Sequence, residues 1–149
     1  MDSVALGRFV LPAMERLAAC LPQLRCAALC TGDGFNVCSI GVTEAQLGKM
    51  AALAGSLLTL GDAMLASLAP ADAATLPLEV LTLQTGSWIT VAVRVAAPGR
   101  PLVLMISATQ APLGVLHLRA RQSAQEISEL LGCSSPPTAD RQNKGDTTP

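Results

Sequence analysis

A chain of 149 residues is long enough for one domain that buries roughly two thirds of its unfolded surface, with no need of a metal or disulfide staple. Only 14% of its residues are charged and the formal net charge is -1, which leaves no electrostatic footprint for nucleic acid, anionic lipid or phosphate. Hydrophobic residues make up 50%, yet the longest charge-free apolar run, Met50 to Gly61, falls short of the ~20 residues a bilayer span needs, and membrane insertion is not expected.

The opening Met1-Asp2-Ser3 has no basic segment ahead of a hydrophobic run, so no secretory signal is expected and the chain is placed in the cytoplasm. Cys20, Cys26, Cys30, Cys38 and Cys133 include no C-x-x-C pair, and the single histidine, His117, is distant in sequence. Zinc and redox motifs are therefore absent, and the cysteines read as small core residues of a reduced compartment.

In chain order, Leu6, Phe9, Val10, Ala13, Leu17, Cys20 and Leu21 share one helical face, while Pro12 lies off that stripe and should kink the first helix or mark its effective start. Arg25 to Thr31 is a short apolar run, Gly32-Asp33-Gly34 a turn, and Phe35 to Ile40 a second run; two strands joined this tightly make a hairpin. Thr43 with Gln46 three residues on is a capping-box spacing, and it fixes the start of a long second helix that runs to about Leu68.

The connector Ala69 to Pro77 cannot continue that helix. Leu78 to Gln84 and Trp88 to Val95 then alternate at a period of two around Thr85-Gly86-Ser87, and Ala97 to Arg100 turns the chain into Leu102 to Ala108. These are three antiparallel strands. Strands covered on both faces lose alternation, so Arg25–Thr31 and Leu102–Ala108 belong in the middle of the sheet and Leu78–Gln84 at an edge.

The last helix, Leu113 to Leu131, turns Leu113, Leu116, Ala120, Ala124, Ile127, Leu130 and Leu131 inward, and Gly132 caps it. From Cys133 onward almost nothing apolar is available to bury, so residues 133–149 are expected to form a disordered tail beside a folded unit of residues 1–132. The order helix, two strands, helix, three strands, helix is an α+β layer structure.

No nucleophile, base and orienter assemble from these residues, so no enzyme activity and no cofactor are expected. His117 reads as a surface or interface histidine. Gly32-Asp33-Gly34 opens no helix and so lacks the geometry of a phosphate cradle. Trp88 shares a strand face with Thr90 and Arg94, either as an anchor under a helix or as an interface residue.

The second helix is the most informative segment. Leu47, Met50, Leu53, Ala54, Leu57, Leu58, Leu60, Gly61, Met64, Leu65 and Leu68 form one wide apolar arc, expected to face the core. The other side carries Ala45, Gly48, Ala52, Gly55, Ser56, Thr59, Ala63, Ala66 and Ser67 with Lys49 and Asp62, a smooth surface that another backbone can approach closely. An exposed alanine-rich helix chosen for propensity is the plain alternative.

The element order, with CAALCTGDGFNV in the first hairpin, LGKMAALAGSLLTLGDAM in the second helix, LEVLTLQTGSWITVAV in the next hairpin and ISATQAPLGVLHLRARQSAQEISELL at the end, resembles the roadblock/dynein light chain family in its bacterial branch. That branch regulates Ras-like GTPases. The resemblance spans about Leu6 to Gly132 and implies a profilin-like α-β-α sandwich, whose five-stranded antiparallel sheet has the order 2-1-5-4-3 and helices on both faces. It also implies homo- or heterodimers formed through the second helix and third strand, with a small GTPase docked across the paired second helices.

The interface residues so implied are Lys49, Ala52, Gly55, Ser56, Thr59, Asp62 and Ala63 on the helix and Leu78, Val80 and Thr82 on the strand. The function expected is a non-enzymatic dimeric regulator or scaffold for a Ras-like GTPase. The alternatives are a scaffold subunit of a signalling or motility complex with no GTPase partner, and a small-molecule sensor domain.

Overall fold

The computed structural model describes residues 2–73 and 76–132, so the expected tail lies outside the described residues. In chain order these form α1 (Ser3–Cys20), β1 (Leu24–Thr31), β2 (Asn36–Ile40), α2 (Glu44–Leu68), β3 (Val80–Thr85), β4 (Trp88–Val95), β5 (Leu102–Thr109) and α3 (Leu113–Leu130). All strand pairs are antiparallel and the sheet order is β2-β1-β5-β4-β3. The expected central strands are the central ones: Ala27–Thr31 and Leu102–Ala108 are buried throughout because layers cover both sides.

The period of two divides the core. Ala27, Leu29, Val91, Val93, Leu104 and Ile106 face α1 and α3 and join Val10, Met14, Leu17, Leu116 and Ile127 in the main cluster. Ala28, Cys30, Ala92, Val103 and Met105 face the other way and pack beneath Ala51, Ala54 and Leu58 of α2. The fold is thus a profilin-like α+β sandwich with helices on both faces.

Local chemistry sets the element ends. The Thr43 hydroxyl accepts the Gln46 N–H at 3.4 Å while Gln46 Oε1 accepts the Thr43 N–H at 3.2 Å, the reciprocal capping box that starts α2. Gly34 at φ +94° reverses the chain between β1 and β2, and the Thr31 hydroxyl accepts the Phe35 N–H at 2.9 Å. Gly132 at φ +83° follows α3.

Several side chains depart from expectation. α1 runs unbroken through Pro12, which is exposed; the helix bond it forgoes is lost on the solvent side, where water can serve the free carbonyl. Phe9 and Cys20, placed on the inner stripe by spacing, are exposed. So are Leu113 and Leu130 of α3, near its two ends. Cys30 and Cys38 are buried and Cys26 half-buried. Burial pushes the Cys30 thiol up to about 11, and burial with the nearby Glu15 charge pushes Cys38 up, so both stay protonated.

Candidate functional site

α2 crosses the sheet face from β1 towards β3, and its rotation differs from the expectation. The buried residues are Ala51, Ala54, Gly55 and Leu58, a narrow stripe of mostly small side chains. Leu53 (59% exposed), Leu60 (59%) and Met64 (60%), together with Leu65 and Leu68, are turned to solvent instead of the core. Gly55 explains the rotation: a Cβ there would overlap the Gly32 carbonyl oxygen, so the helix rests directly on the β1–β2 turn at its smallest residue. The predicted open position Gly55 is therefore a buried contact.

The bulky side chains displaced outward form a ridge. Met50, Leu53, Leu57, Leu60 and Met64 recur at alternating spacings of three and four, the pattern of a helix–helix seam, with Met50 and Leu57 half-buried at its flank. By length and composition alone α2 could cross a membrane, since its most apolar window has a mean hydropathy of 1.5. It lies across the sheet, held by the Gly55 contact and by Asp62.

Beside the ridge runs the small-residue flank. Ala52, Ser56, Thr59 and Ala63 are exposed and, with Gly32 and Asp33 of the β1–β2 turn, border one shallow groove. Ser56 Oγ donates to the Ala52 carbonyl at 3.1 Å and Thr59 Oγ1 to the Gly55 carbonyl at 2.9 Å, so both hydroxyls are turned onto their own helix. Asp33, held below the usual carboxylate range by the Thr31 hydroxyl first and the Arg100 charge last, gives the groove a negative wall. Lys49 is exposed on the same helix.

Asp62 is not a free interface charge. Its Oδ1 accepts the Leu78 N–H at 2.6 Å and its Oδ2 bonds Arg94 Nη2, while Arg94 Nε donates to the Leu78 carbonyl at 2.7 Å. The Leu78 bond and then the Arg94 guanidinium hold the Asp62 carboxyl below its ordinary value against partial desolvation. This cluster joins residues far apart in sequence, and no spacing in the chain signals it.

β3 pairs with β4 along Val80–Thr85 and is the edge of the sheet on its other side. The strand VLTLQT carries no charge, proline or bulge of the kind that protects an edge. Val80 packs into the main core and Thr82 meets His117 Nε2 at 2.8 Å, so both point towards α3. His117 is thus half-buried, bonded to β3. Leu81 and Leu83 face the α2 side, as does Trp88; at 43% exposure Trp88 is an open residue of that face and no buried anchor.

Among the described residues no three His, Cys, Asp or Glu side chains gather as metal ligands. The structure does not gather the expected interface residues on one face: the small flank of α2 lies against the β1–β2 turn, Val80 and Thr82 point towards α3, and Leu53, Leu60 and Met64 stand exposed on the outer side of α2. Those three were legible only as apolar positions, which spacing assigned to the core.

No family model and no curated protein matches the sequence. Solved structures do. The Roadblock/LC7 domain from Streptomyces avermitilis superposes with a TM-score of 0.67 at 22% identity, over 80% of this chain and 95% of that one. Myxococcus xanthus MglB gives 0.70 at 13% identity over 88% and 94%, and the gliding protein MglB from Thermus thermophilus gives 0.67 at 17% identity over 87% and 93%. The fold is that of the Roadblock/LC7 domain.

Proposed function

We propose that the chain is a non-catalytic homodimeric regulator or scaffold that docks a small Ras-like GTPase on its α2 surface. One observation carries this reading: an uncharged open strand, β3, lies beside a helix whose leucine and methionine ridge is turned to solvent. Left alone, the strand is a template for aggregation and the ridge an apolar patch. A second copy related by a two-fold axis covers both at once, β3 pairing with β3 and ridge meeting ridge, in one self-complementary interface.

The GTPase part rests on the sequence resemblance to regulators of Ras-like GTPases and on the groove beside the ridge. Ala52, Ser56, Thr59 and Ala63 leave room for a loop or helix of a partner, next to Asp33. The binding is by shape, with few charges, and any effect on hydrolysis works by positioning the partner's switch loops.

Substitutions on the two sides of α2 separate the parts. Leu53→Arg with Leu60→Arg places cations on the ridge and should give a folded monomer. Ser56→Arg with Thr59→Arg fills the groove; it should leave a dimer that no longer binds a purified Ras-like GTPase loaded with GDP or a GTP analogue. A wild-type dimer that binds neither form would move the reading to a scaffold with no GTPase partner. If the groove variant retained every partner of the wild type, the groove would be an ordinary solvated flank.

A further inference from the structure

The α2 segment carries only Glu44, Lys49 and Asp62 as charges, and Asp62 faces the junction where the chain enters the edge strand. Leu78, two residues before β3, has its N–H bound by Asp62 Oδ1 at 2.6 Å and its carbonyl bound by Arg94 Nε at 2.7 Å. The two side chains bond each other, and the Arg94 backbone N–H donates to the Glu79 carbonyl at 2.9 Å. Gly61 leaves a gap that the Leu78 side chain fills, since a Cβ at Gly61 would overlap Leu78 Cδ2. Helix, edge strand and inner strand are thus tied at one residue.

We propose that Asp62 and Arg94 are positioning residues that lock the start of the β3 edge to α2, so that edge and ridge meet a second copy as one preformed surface. This rests on the homodimer reading. An edge strand has a partner on one side only, and its first residues fray unless something holds them. Antiparallel pairing between copies needs a fixed register, because a slip by one residue turns every side chain to the wrong face. Holding both peptide groups of Leu78 sets that register before association and removes an ordering cost from binding. Charge-assisted bonds to backbone are suited to this, being shorter and stronger than neutral ones.

The test uses the full chain as wild type, Asp62→Asn, Arg94→Met and the double variant, with dimer dissociation read by sedimentation and amide exchange read residue by residue. Each single variant should weaken the dimer by about tenfold, and the double variant should be little worse than either alone. The amides of Leu78 to Thr82 should exchange faster while those of Leu104 and Ile106 in β5 keep their protection. Wild-type affinity in the single variants would overturn the proposal, as would weakening accompanied by faster exchange at Leu104 and Ile106, the mark of general loosening. Asp62→Asn is close to isosteric and carries the test alone should Arg94→Met fail to fold. A wild type that stays monomeric would remove the homodimer reading itself, and the proposal with it.

Discussion

At the scale of single residues, two glycines of α2 have opposite roles. Gly55 rests on the Gly32 carbonyl with no room for a methyl group, whereas Gly48 has open space around its Cα. Gly55→Ala should therefore cost about 1–3 kcal/mol by overpacking, and Gly48→Ala should stabilise by roughly 0.5–1 kcal/mol through helix propensity alone. Urea midpoints of the two variants measure this directly; equal effects would mean that α2 does not lie on the turn. Both residues read alike in sequence, as helix glycines on a smooth face, because the partner that distinguishes them comes from another element.

Asp62 gives a second residue-scale expectation. Its folded pKa is depressed, first by the Leu78 N–H and then by Arg94, so its contribution is fully present above its unfolded value of about 3.9 and is lost as pH falls through the lower folded value. The difference in urea midpoint between wild type and Asp62→Asn should stay constant from about pH 8 to pH 5 and close below about pH 4. The side chain is 37% exposed, so the difference is modest. A gap that persisted unchanged in acid would show that the charge contributes nothing.

At the scale of elements, the strands and the main buried faces of α1 and α3 were legible, and the rotation of α2 was not. Alternation and its loss placed β1 and β5 in the middle and β3 at the edge, since a strand's two faces follow directly from a period of two. For α2 the same reasoning put Leu53, Leu60 and Met64 in the core. A helix apolar over so much of its circumference has no single face that periodicity can choose. The rotation is settled by close approach, which favours Ala51, Ala54, Gly55 and Leu58, and the larger side chains are left outside. Pro12 is a parallel case: its exposed position in α1 lets the helix continue. Pro12→Ala should restore one backbone bond and stabilise the protein by about 1–2 kcal/mol, read from the thermal midpoint. A loss of stability would show that the proline shapes the α1 packing.

At the scale of the whole molecule, the order β2-β1-β5-β4-β3 leaves a flank where the open β3 edge adjoins α2 and its apolar ridge, while the small-residue groove lies against the β1–β2 turn. The candidate surface was legible in outline, because the scarcity of charge, with only Glu44, Lys49 and Asp62 on α2 and Glu79 on Leu78–Gln84, is a property of the sequence. Its division into ridge and groove was not, since that depends on how α2 turns on the sheet. The inward direction of Asp62 was hidden for the same reason. Solved Roadblock/LC7 structures at 13% to 22% identity share this architecture, which fits a fold defined by layers and spacing more than by particular side chains.

The central claim is that this flank is covered by a second copy, and the molar mass in solution tests it most directly. Light scattering on a sizing column should give twice the chain mass for the wild type at about ten micromolar and the single chain mass for Leu53→Arg with Leu60→Arg, with the thermal midpoint of the variant within a few degrees. A wild type of single chain mass at that concentration, or a ridge variant that remains a dimer, would contradict the account.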